Sequence, residues 1–417
     1  MTISKMMLEI GVNAKNASAE LSFVASKKKD DALSALMECI FQNKSLILNE
    51  NKKDIELSKM KNLSDSMLDR LYLDEDRLFS IIKSVEEIKK IPDPVGTVIA
   101  NYSRPNGLSI KRIRSPLGVV GVIFESRPNV TIDAGALCLK SGNASILRCG
   151  SESFNTSQAF GFCFKKALIQ ANLSQYCVQL VPTVNRAAVT EMLKMTEYLD
   201  VIVPRGGKSL VKLIQNEARV PVFAHFEGIV HIYVHVDADP QTARKVILNS
   251  KTRRPGICGA VECILVDYEF IEKHGTGFIT DLIAAGVIVK VKGKNLNISG
   301  TILADQTDWG KEFLSLIVSV KSVNGVQEAI THIKEYGSNH TDCIITENDK
   351  VAGEFFAKLD SAILMRNAST QFADGGEFGF GGEIGIATGK IHARGPIGVE
   401  QLTTFKYIIE GNGQLRG

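Results

Sequence analysis

Apolar residues recur at the helical period through the first ninety positions: Leu33, Leu36, Met37 and Ile40, then Leu68 and Leu71, then Leu78, Ile81, Ile82 and Val85. This spacing predicts a set of scaffold helices, with Asp74 as the N-cap of the last. The pattern stops at Ile91-Pro92-Asp93-Pro94-Val95-Gly96, where two prolines and a glycine cannot continue a helix. From Thr97 to Ile113 two β-prone runs flank Arg104-Pro105-Asn106-Gly107, a hairpin signal. Gly118 to Phe124 is short, continuous and rich in β-branched residues, as a strand buried on both faces requires. A helix through Ala134, Ala136, Leu137 and Leu139 follows, and Ala144–Arg148, Val178–Val181 and Leu199–Val203 read as further strands. That alternation predicts a doubly wound parallel sheet.

A second unit of the same cadence starts near Gly228. Its expected elements are strand Ile229–His235, helix Ala238–Asn249, strand Val261–Val266, strand Leu314–Val320, helix Val326–Tyr336, and strands Cys343–Thr346 and Ala362–Met365. The stretch from Asp374 to Gly385 carries many glycines with Phe378 and Phe380 between them, a composition suited to backbone that approaches a ligand or threads between domains. The β-prone run Thr403–Ile409 is expected to pair with the Thr97–Ile113 hairpin across a subunit boundary. Neither piece has a core of its own, and symmetric pairing would satisfy both.

Composition narrows the class. A chain of 417 residues needs more than one core. A net charge of +3 is too small to make nucleic acid or a membrane surface the main partner. No apolar run approaches the ~18 residues of a membrane helix, and Met1 to Ala25 lacks a secretory layout. Eight cysteines without short paired spacing predict reduced thiols in a cytoplasmic setting.

Chemistry concentrates at Lys251-Thr252-Arg253-Arg254-Pro255-Gly256-Ile257-Cys258, a thiol just after a Pro-Gly break and preceded by three cations. Nearby positive charge favours the thiolate, so Cys258 is the expected nucleophile and the one essential cysteine. Glu125-Ser126-Arg127-Pro128-Asn129 leaves the C-terminal end of a strand, where open α/β sheets put ligands. Gly207-Lys208-Ser209 imitates a phosphate loop, but position 202 is Ile where a Walker motif needs glycine. What remains is a Gly-Gly turn at a helix start, with Arg205 and Lys208 beside it, fit to seat a phosphate group. No Gly-x-Gly-x-x-Gly fingerprint follows any strand. His231 and His235 would lie about 13 Å apart on a strand at ~3.3 Å per residue, too far to share an ion, so no metal is expected.

Taken in order, Ser115-Pro116-Leu117-Gly118, Glu125 to Thr131, Leu139 to Ala144, Val203 to Gly207, the Cys258 segment, Gly375 to Gly379 and His392 to Pro396 resemble the γ-glutamyl phosphate reductases, also called glutamate-5-semialdehyde dehydrogenases. The resemblance runs from about residue 10 to 411. It implies an aldehyde dehydrogenase-like α/β fold of two doubly wound domains plus a small β oligomerisation unit. Residues 1–96 and 114–227 would form the cofactor-binding domain and 228–372 the catalytic domain. Residues 97–113 and 401–417 would form the oligomerisation hairpin and tail, with 373–400 a glycine-rich crossover near the active site.

The resemblance also implies NADPH-dependent reduction of L-glutamyl 5-phosphate to the semialdehyde and phosphate through a thioester on Cys258, the second step of proline biosynthesis. The backbone N–H of Cys258 and a side chain of Arg127 or Asn129 would meet the oxyanion. Arg148, Ser151, Glu152, Arg205, Gly206, Gly207, Lys208, Glu377 and Phe378 would serve the cofactor, with the 2′-phosphate contact open between Arg148, Lys208 and Ser151. Lys140, Arg254 and Asn367 would contact substrate. A homo-oligomer and a functional association with glutamate 5-kinase are further expectations of the resemblance. The chain departs from the usual pattern at Arg253, Gly259, Glu227 and Val230. The rival readings are a hydrolytic aldehyde dehydrogenase, for which Glu227 in Phe226-Glu227-Gly228-Ile229 is the available water activator, and a catalytically idle nucleotide-binding protein.

Overall fold

A computed structural model of the chain describes residues 2–223 and 227–416, with the side chains of Ser66 and Lys208 outside the description. Phe226 therefore lies outside the described residues, while Glu227 lies within them. The chain divides into two compact units, 1–225 with 379–385 and 396–417, and 226–378 with 386–395. No described helix is long and apolar enough to cross a membrane.

The first unit opens with α1 (Ile3–Leu21), α2 (Ser26–Gln42), α3 (Lys44–Met60), α4 (Asp65–Leu71) and α5 (Glu75–Lys90). Leu33, Leu36 and Ile40 are fully buried, as their spacing predicts. Asp74 caps α5 by accepting from the Arg77 N–H at 2.8 Å. Two buried lysines brace the helices. Lys29 pairs with Asp93 in the proline break, and Lys140 pairs with Asp30 at 2.5 Å while donating to the Lys89 carbonyl at 2.8 Å. Burial lowers the Lys29 pKa against the pull of Asp93.

After the break come β1 (Val98–Ser103) and β2 (Ser109–Pro116), then β3 (Val119–Phe124), α6 (Asn129–Lys140), β4 (Ala144–Cys149), α7 (Phe154–Gln170), β5 (Val178–Leu180), α8 (Ala187–Met192), β6 (Val201–Arg205) and α9 (Lys208–Glu217). The order β5-β4-β3-β6 is parallel, and its direction of progress reverses between β3 and β6. Asp54 of α3 caps α7, accepting from the Thr156 N–H at 2.8 Å and its hydroxyl at 2.6 Å.

The hairpin forms where the Asn-Gly signal predicts, with the Gly107 N–H donating to the Arg104 carbonyl at 2.9 Å. The tail strand Thr403–Glu410 pairs antiparallel with β2, from Thr403 opposite Pro116 to Glu410 opposite Ser109. This corrects the expectation of pairing across a subunit boundary, because both members belong to one chain. The physical reason is that β2 has two edges; β1 takes one and the tail takes the other. The outer edges of β1 and the tail strand are then the ones left over.

The second unit contains β7 (Val230–Val234), α10 (Pro240–Thr252), β8 (Val261–Asp267), α11 (Tyr268–His274), α12 (Gly277–Ala284), β9 (Ile288–Lys292), β10 (Ile302–Leu303), β11 (Ile317–Val323), α13 (Gly325–Tyr336), β12 (Thr341–Ile345), α14 (Asp349–Lys358) and β13 (Ile363–Arg366). These strands form one parallel sheet, ordered β10-β9-β11-β8-β7-β12-β13. Apolar clusters cover both faces: Ile232, Val234, Ile264 and Val266 pack one way, and Tyr233, Leu265 and Ile344 the other. The strand expected at Leu314–Val320 runs three residues later, because Leu314 adopts a left-handed conformation, φ 51°, and holds the turn before it. The elements between 268 and 303 were not expected, although Ile288-Val289-Lys290-Val291-Lys292 alternates as a half-buried strand should.

Because the tail strand pairs within the chain, amides of residues 109–115 stay protected from hydrogen exchange at dilutions that dissociate any oligomer. Protection that disappears on dilution would move the pairing to a partner subunit.

Candidate active site

Cys258 lies on the loop that carries the chain from α10 to β8. It is half-buried, whereas each of the other seven cysteines is buried. Burial pushes the Cys149 thiol up to about 11 and those of Cys177 and Cys343 to about 12, out of reach of a neutral-pH thiolate. Cys258 instead rests on a small apolar cluster of Ile363, Ala373 and Ile386.

The loop is pinned at both ends by one side chain. Lys251, in the last turn of α10, is fully buried. Its ammonium donates to the Val261 carbonyl at 2.8 Å and pairs with the Glu262 carboxylate at 2.6 Å, both at the start of β8. This corrects the reading of Lys251 as a cation facing the thiol: its charge belongs to Glu262, and of the cationic run only the exposed Arg253 and Arg254 remain near Cys258 in sequence. Burial raises the Glu262 pKa to about 7 despite Lys251, and burial lowers that of Lys251 despite Glu262. The segment 369–371 is tied to the same helix end. The Thr370 N–H donates to the Ser250 hydroxyl at 3.0 Å, the Gln371 amide to the Ser250 carbonyl at 2.9 Å, and the Ser369 hydroxyl to Asn249 at 2.6 Å. On the other side Gly228 touches the Cys258 backbone: a Cβ there would lie 2.2 Å from the Cys258 carbonyl oxygen, so only glycine fits.

Two residues expected at the substrate are engaged elsewhere. Lys140 is 1% exposed and held by Asp30 and Lys89, inside the helical packing of the first unit. Asn367 has φ 52° and closes both ends of its amide on Thr346, accepting its N–H at 2.9 Å and donating to its carbonyl at 3.2 Å. Both expectations are corrected on the same ground, since these polar groups hold local backbone and packing. Arg254 is exposed, as are Glu377 and Phe378, which sit in a turn closed on Asp374.

In the first unit, three turns gather at the C-terminal ends of β3, β4 and β6. Glu125 accepts from the Gly207 N–H at 3.0 Å. Glu152 accepts from the Ser126 N–H at 2.6 Å and the Ser126 hydroxyl at 3.0 Å, holding Ser126 at φ 47°. Ser151 is exposed beside it. Asn129 gives one amide proton to Asp133 at 2.9 Å, and burial raises the pKa of that carboxyl against Asn129, Ser84 and Arg205.

These turns suit a nicotinamide dinucleotide. The start of α9 already receives a carboxylate, a Cβ on Gly206 would meet Glu125 at 2.5 Å, and the Arg205 Nε is buried with no hydrogen-bond partner among the described residues. Arg148, one of the three residues left open for the 2′-phosphate, lies mostly buried in β4, with its Nε lacking a hydrogen-bond partner among the described residues. It is 7% exposed, donates to the Val184 carbonyl at 2.9 Å, and burial lowers its pKa. It thereby anchors the loop after β5, whose own cation, the exposed Arg186, sequence reasoning missed. A lone arginine in the loop after a sheet strand was the available signal.

A parallel sheet that reverses beside a glycine turn, in a chain whose second sheet is entered from a thiol loop, defines the aldehyde dehydrogenase class, and the model described as "Aldehyde dehydrogenase family" matches residues 13–285. An acetylating aldehyde dehydrogenase from Geobacillus thermoglucosidasius shares the fold, with a TM-score of 0.72 at 17% identity over 100% of this chain and 98% of that one. The chain belongs, within that class, to the gamma-glutamyl phosphate reductase family. It is 53% identical to the gamma-glutamyl phosphate reductase of Rhizobium johnstonii over 99% of this chain and 97% of the relative. The structure of gamma-glutamyl phosphate reductase from Thermotoga maritima superposes with a TM-score of 0.94, at 38% identity and with 99% of this chain and 100% of that chain covered.

The Lys251–Glu262 pair yields a stability test. Lys251→Met leaves a buried carboxylate without its cation and is expected to cost about 3–5 kcal/mol in urea unfolding. Adding Glu262→Leu should recover most of that loss. A single substitution as mild as the double one would show that the pair does not hold the loop.

Proposed function

We propose that this protein reduces L-glutamyl 5-phosphate to L-glutamate 5-semialdehyde and phosphate, with Cys258 as the covalent nucleophile. The observation that carries the reading is a single half-buried thiol on a pinned loop, in a chain whose relatives along its whole length are gamma-glutamyl phosphate reductases. The Cys258 thiolate attacks the acyl carbon, the carbon–oxygen bond to phosphate breaks, and a thioester remains on the protein. The nicotinamide cofactor, when bound, supplies the hydride that brings this thioester to the aldehyde level. The Cys258 N–H and a side chain of Arg127 or Asn129 donate to the carbonyl oxygen while it carries charge. The carbon–oxygen double bond then re-forms from that oxyanion, the carbon–sulfur bond breaks, and the aldehyde leaves with the thiolate restored.

Gly206 and Gly207 hold the pyrophosphate at the start of α9, and Glu152 and Ser151 sit at the ribose. NADPH is the preferred form, with Arg186 and Ser151 as the 2′-phosphate contacts. The acyl phosphate has to come from a kinase that phosphorylates the γ-carboxylate of glutamate. A hydrolytic reading, with Glu227 activating water, is not favoured by the relatives. The assembly is a homo-oligomer: the small sheet exposes Tyr102, Phe405, Tyr407 and Ile409, and its outer strands have open edges for a second copy.

The deciding assay is semialdehyde oxidation with and without inorganic phosphate. Turnover should require phosphate, and free glutamate released in its absence would favour the hydrolytic alternative. Cys258→Ala should retain less than about a hundredth of wild-type activity, while Ala or Ser at the other seven cysteines should leave turnover in place.

Cofactor choice is tested separately. Arg186→Ala and Ser151→Ala should raise the KM for NADPH far more than that for NADH. Equal losses with both cofactors would remove these residues from the 2′-phosphate.

A further inference from the structure

The sheet of the second unit carries a row of polar residues across its buried middle. Asp342 on β12 lies opposite His231 on β7, and His231 lies opposite Cys263 on β8. Parallel strands in register put these three side chains on one face, and His332 of α13 comes down onto the same face. All four residues are at most 3% exposed. Asp342 Oδ1 stands 3.2 Å from His231 Nδ1, which turns His231 Nε2 inward, where it is buried with no hydrogen-bond partner among the described residues. Cys263 Sγ and His332 Nε2 are 3.7 Å apart, and one ligand atom each from His231, Cys263 and His332 all fall within 4.8 Å of one another.

We infer that His231, Cys263 and His332 form a structural site for a thiophilic closed-shell cation, Cu+ or Zn2+. A thiolate and two imidazoles are the donors such ions select over oxygen-seeking ones. Bonds of about 2.0–2.3 Å would set the donor atoms roughly 3.3–3.7 Å apart. The Cys263–His332 pair already meets that spacing, and His231 has only a small closing movement to make. A carboxylate on the distal nitrogen of a ligating histidine fixes its tautomer and orientation, and Asp342 holds that place on His231. The ion would also resolve the orphaned His231 Nε2, an expensive group to bury unsatisfied. Cu+ is complete with three such ligands, whereas Zn2+ takes a water as its fourth.

Lys321 faces His332 Nδ1 at 3.4 Å, the nitrogen that carries the proton once Nε2 ligates. Its side chain is 29% exposed and 3.6 Å from Glu328, so the ammonium has a carboxylate to move to. Binding releases the Cys263 thiol proton to solvent and changes no oxidation state. The site shares no residue with the Cys258 loop.

Full-length protein, stripped of metal with a chelator, is titrated under reducing, oxygen-free conditions with Zn2+, with Cu+, and with Co2+ as a spectroscopic probe. The expected result is one ion per chain, a thiolate-to-cobalt charge-transfer band, and a raised unfolding midpoint with the preferred ion. Cys258→Ala should keep the band. Cys263→Ser and His332→Gln should abolish it, and Asp342→Asn should weaken binding about tenfold to a hundredfold. Circular dichroism and retained semialdehyde oxidation identify which variants are folded, so either ligand variant suffices if the other fails. Binding below one ion per chain, a band that survives in Cys263→Ser, or a band lost only in Cys258→Ala would overturn the site.

Discussion

The buried ion pair between Lys251 and Glu262 is the constraint on which the Cys258 loop depends. A helix end and a strand start that lie ten residues apart in sequence could be joined by a floppy loop, and a nucleophile on such a loop would hold no fixed geometry. Lys251 closes that freedom by bonding to two consecutive residues of β8. The cost of desolvating both charges is visible in the pKa directions, each group being pushed toward its neutral form. The arrangement is retained for position: a hydrophobic pair would fill the same volume without fixing where the loop begins and ends. Gln371 and Thr370 extend the clamp from a separate part of the chain, so the loop is fixed by contacts distant in sequence as well as local ones.

Much of the architecture was legible in the sequence because buried parallel strands are nearly uniform in composition. Gly118 to Phe124, Ala144 to Arg148 and Val261 to Val266 announce themselves as apolar runs, and Asp74 and Asn106-Gly107 mark boundaries that sterics enforce. The half-buried strand Ile288–Lys292 was missed because its charged alternate positions lower its signal. Cys258 could be found from its break and flanking cations, yet the role of those cations could not. Whether a lysine faces a thiol or turns into the core depends on where Glu262 lies, and that is set by the strand that follows.

The same limit explains why the placement of other polar residues could not be read. Lys140, Asn367 and Arg148 are polar residues in segments that resemble a reductase family, and sequence gives no reason to separate those that touch ligand from those that hold backbone. Their partners, Asp30, Thr346 and Val184, lie well away in sequence or are main-chain atoms without a side-chain signal. Sheet register is also invisible in one dimension. His231 was weighed against His235, four residues along its own strand, whereas its neighbours in space are Cys263 and Asp342 on the flanking strands.

Gly259 shows how a small residue next to Cys258 becomes intelligible once the clamp is known. Position 259 faces the turn at 370–373. A Cβ there would lie 3.0 Å from the Thr370 carbonyl oxygen and 3.4 Å from the Ala373 side chain. That turn cannot simply retreat, because Ser250 and Asn249 hold it to α10 through Thr370, Gln371 and Ser369. A side chain beside Cys258 would therefore push on the loop itself, at a point where Gly228 already touches the Cys258 backbone on the other side. The glycine lets the 370–373 turn close directly onto the thiol loop. Positioning of the loop then rests on packing and on the ion pair at its base.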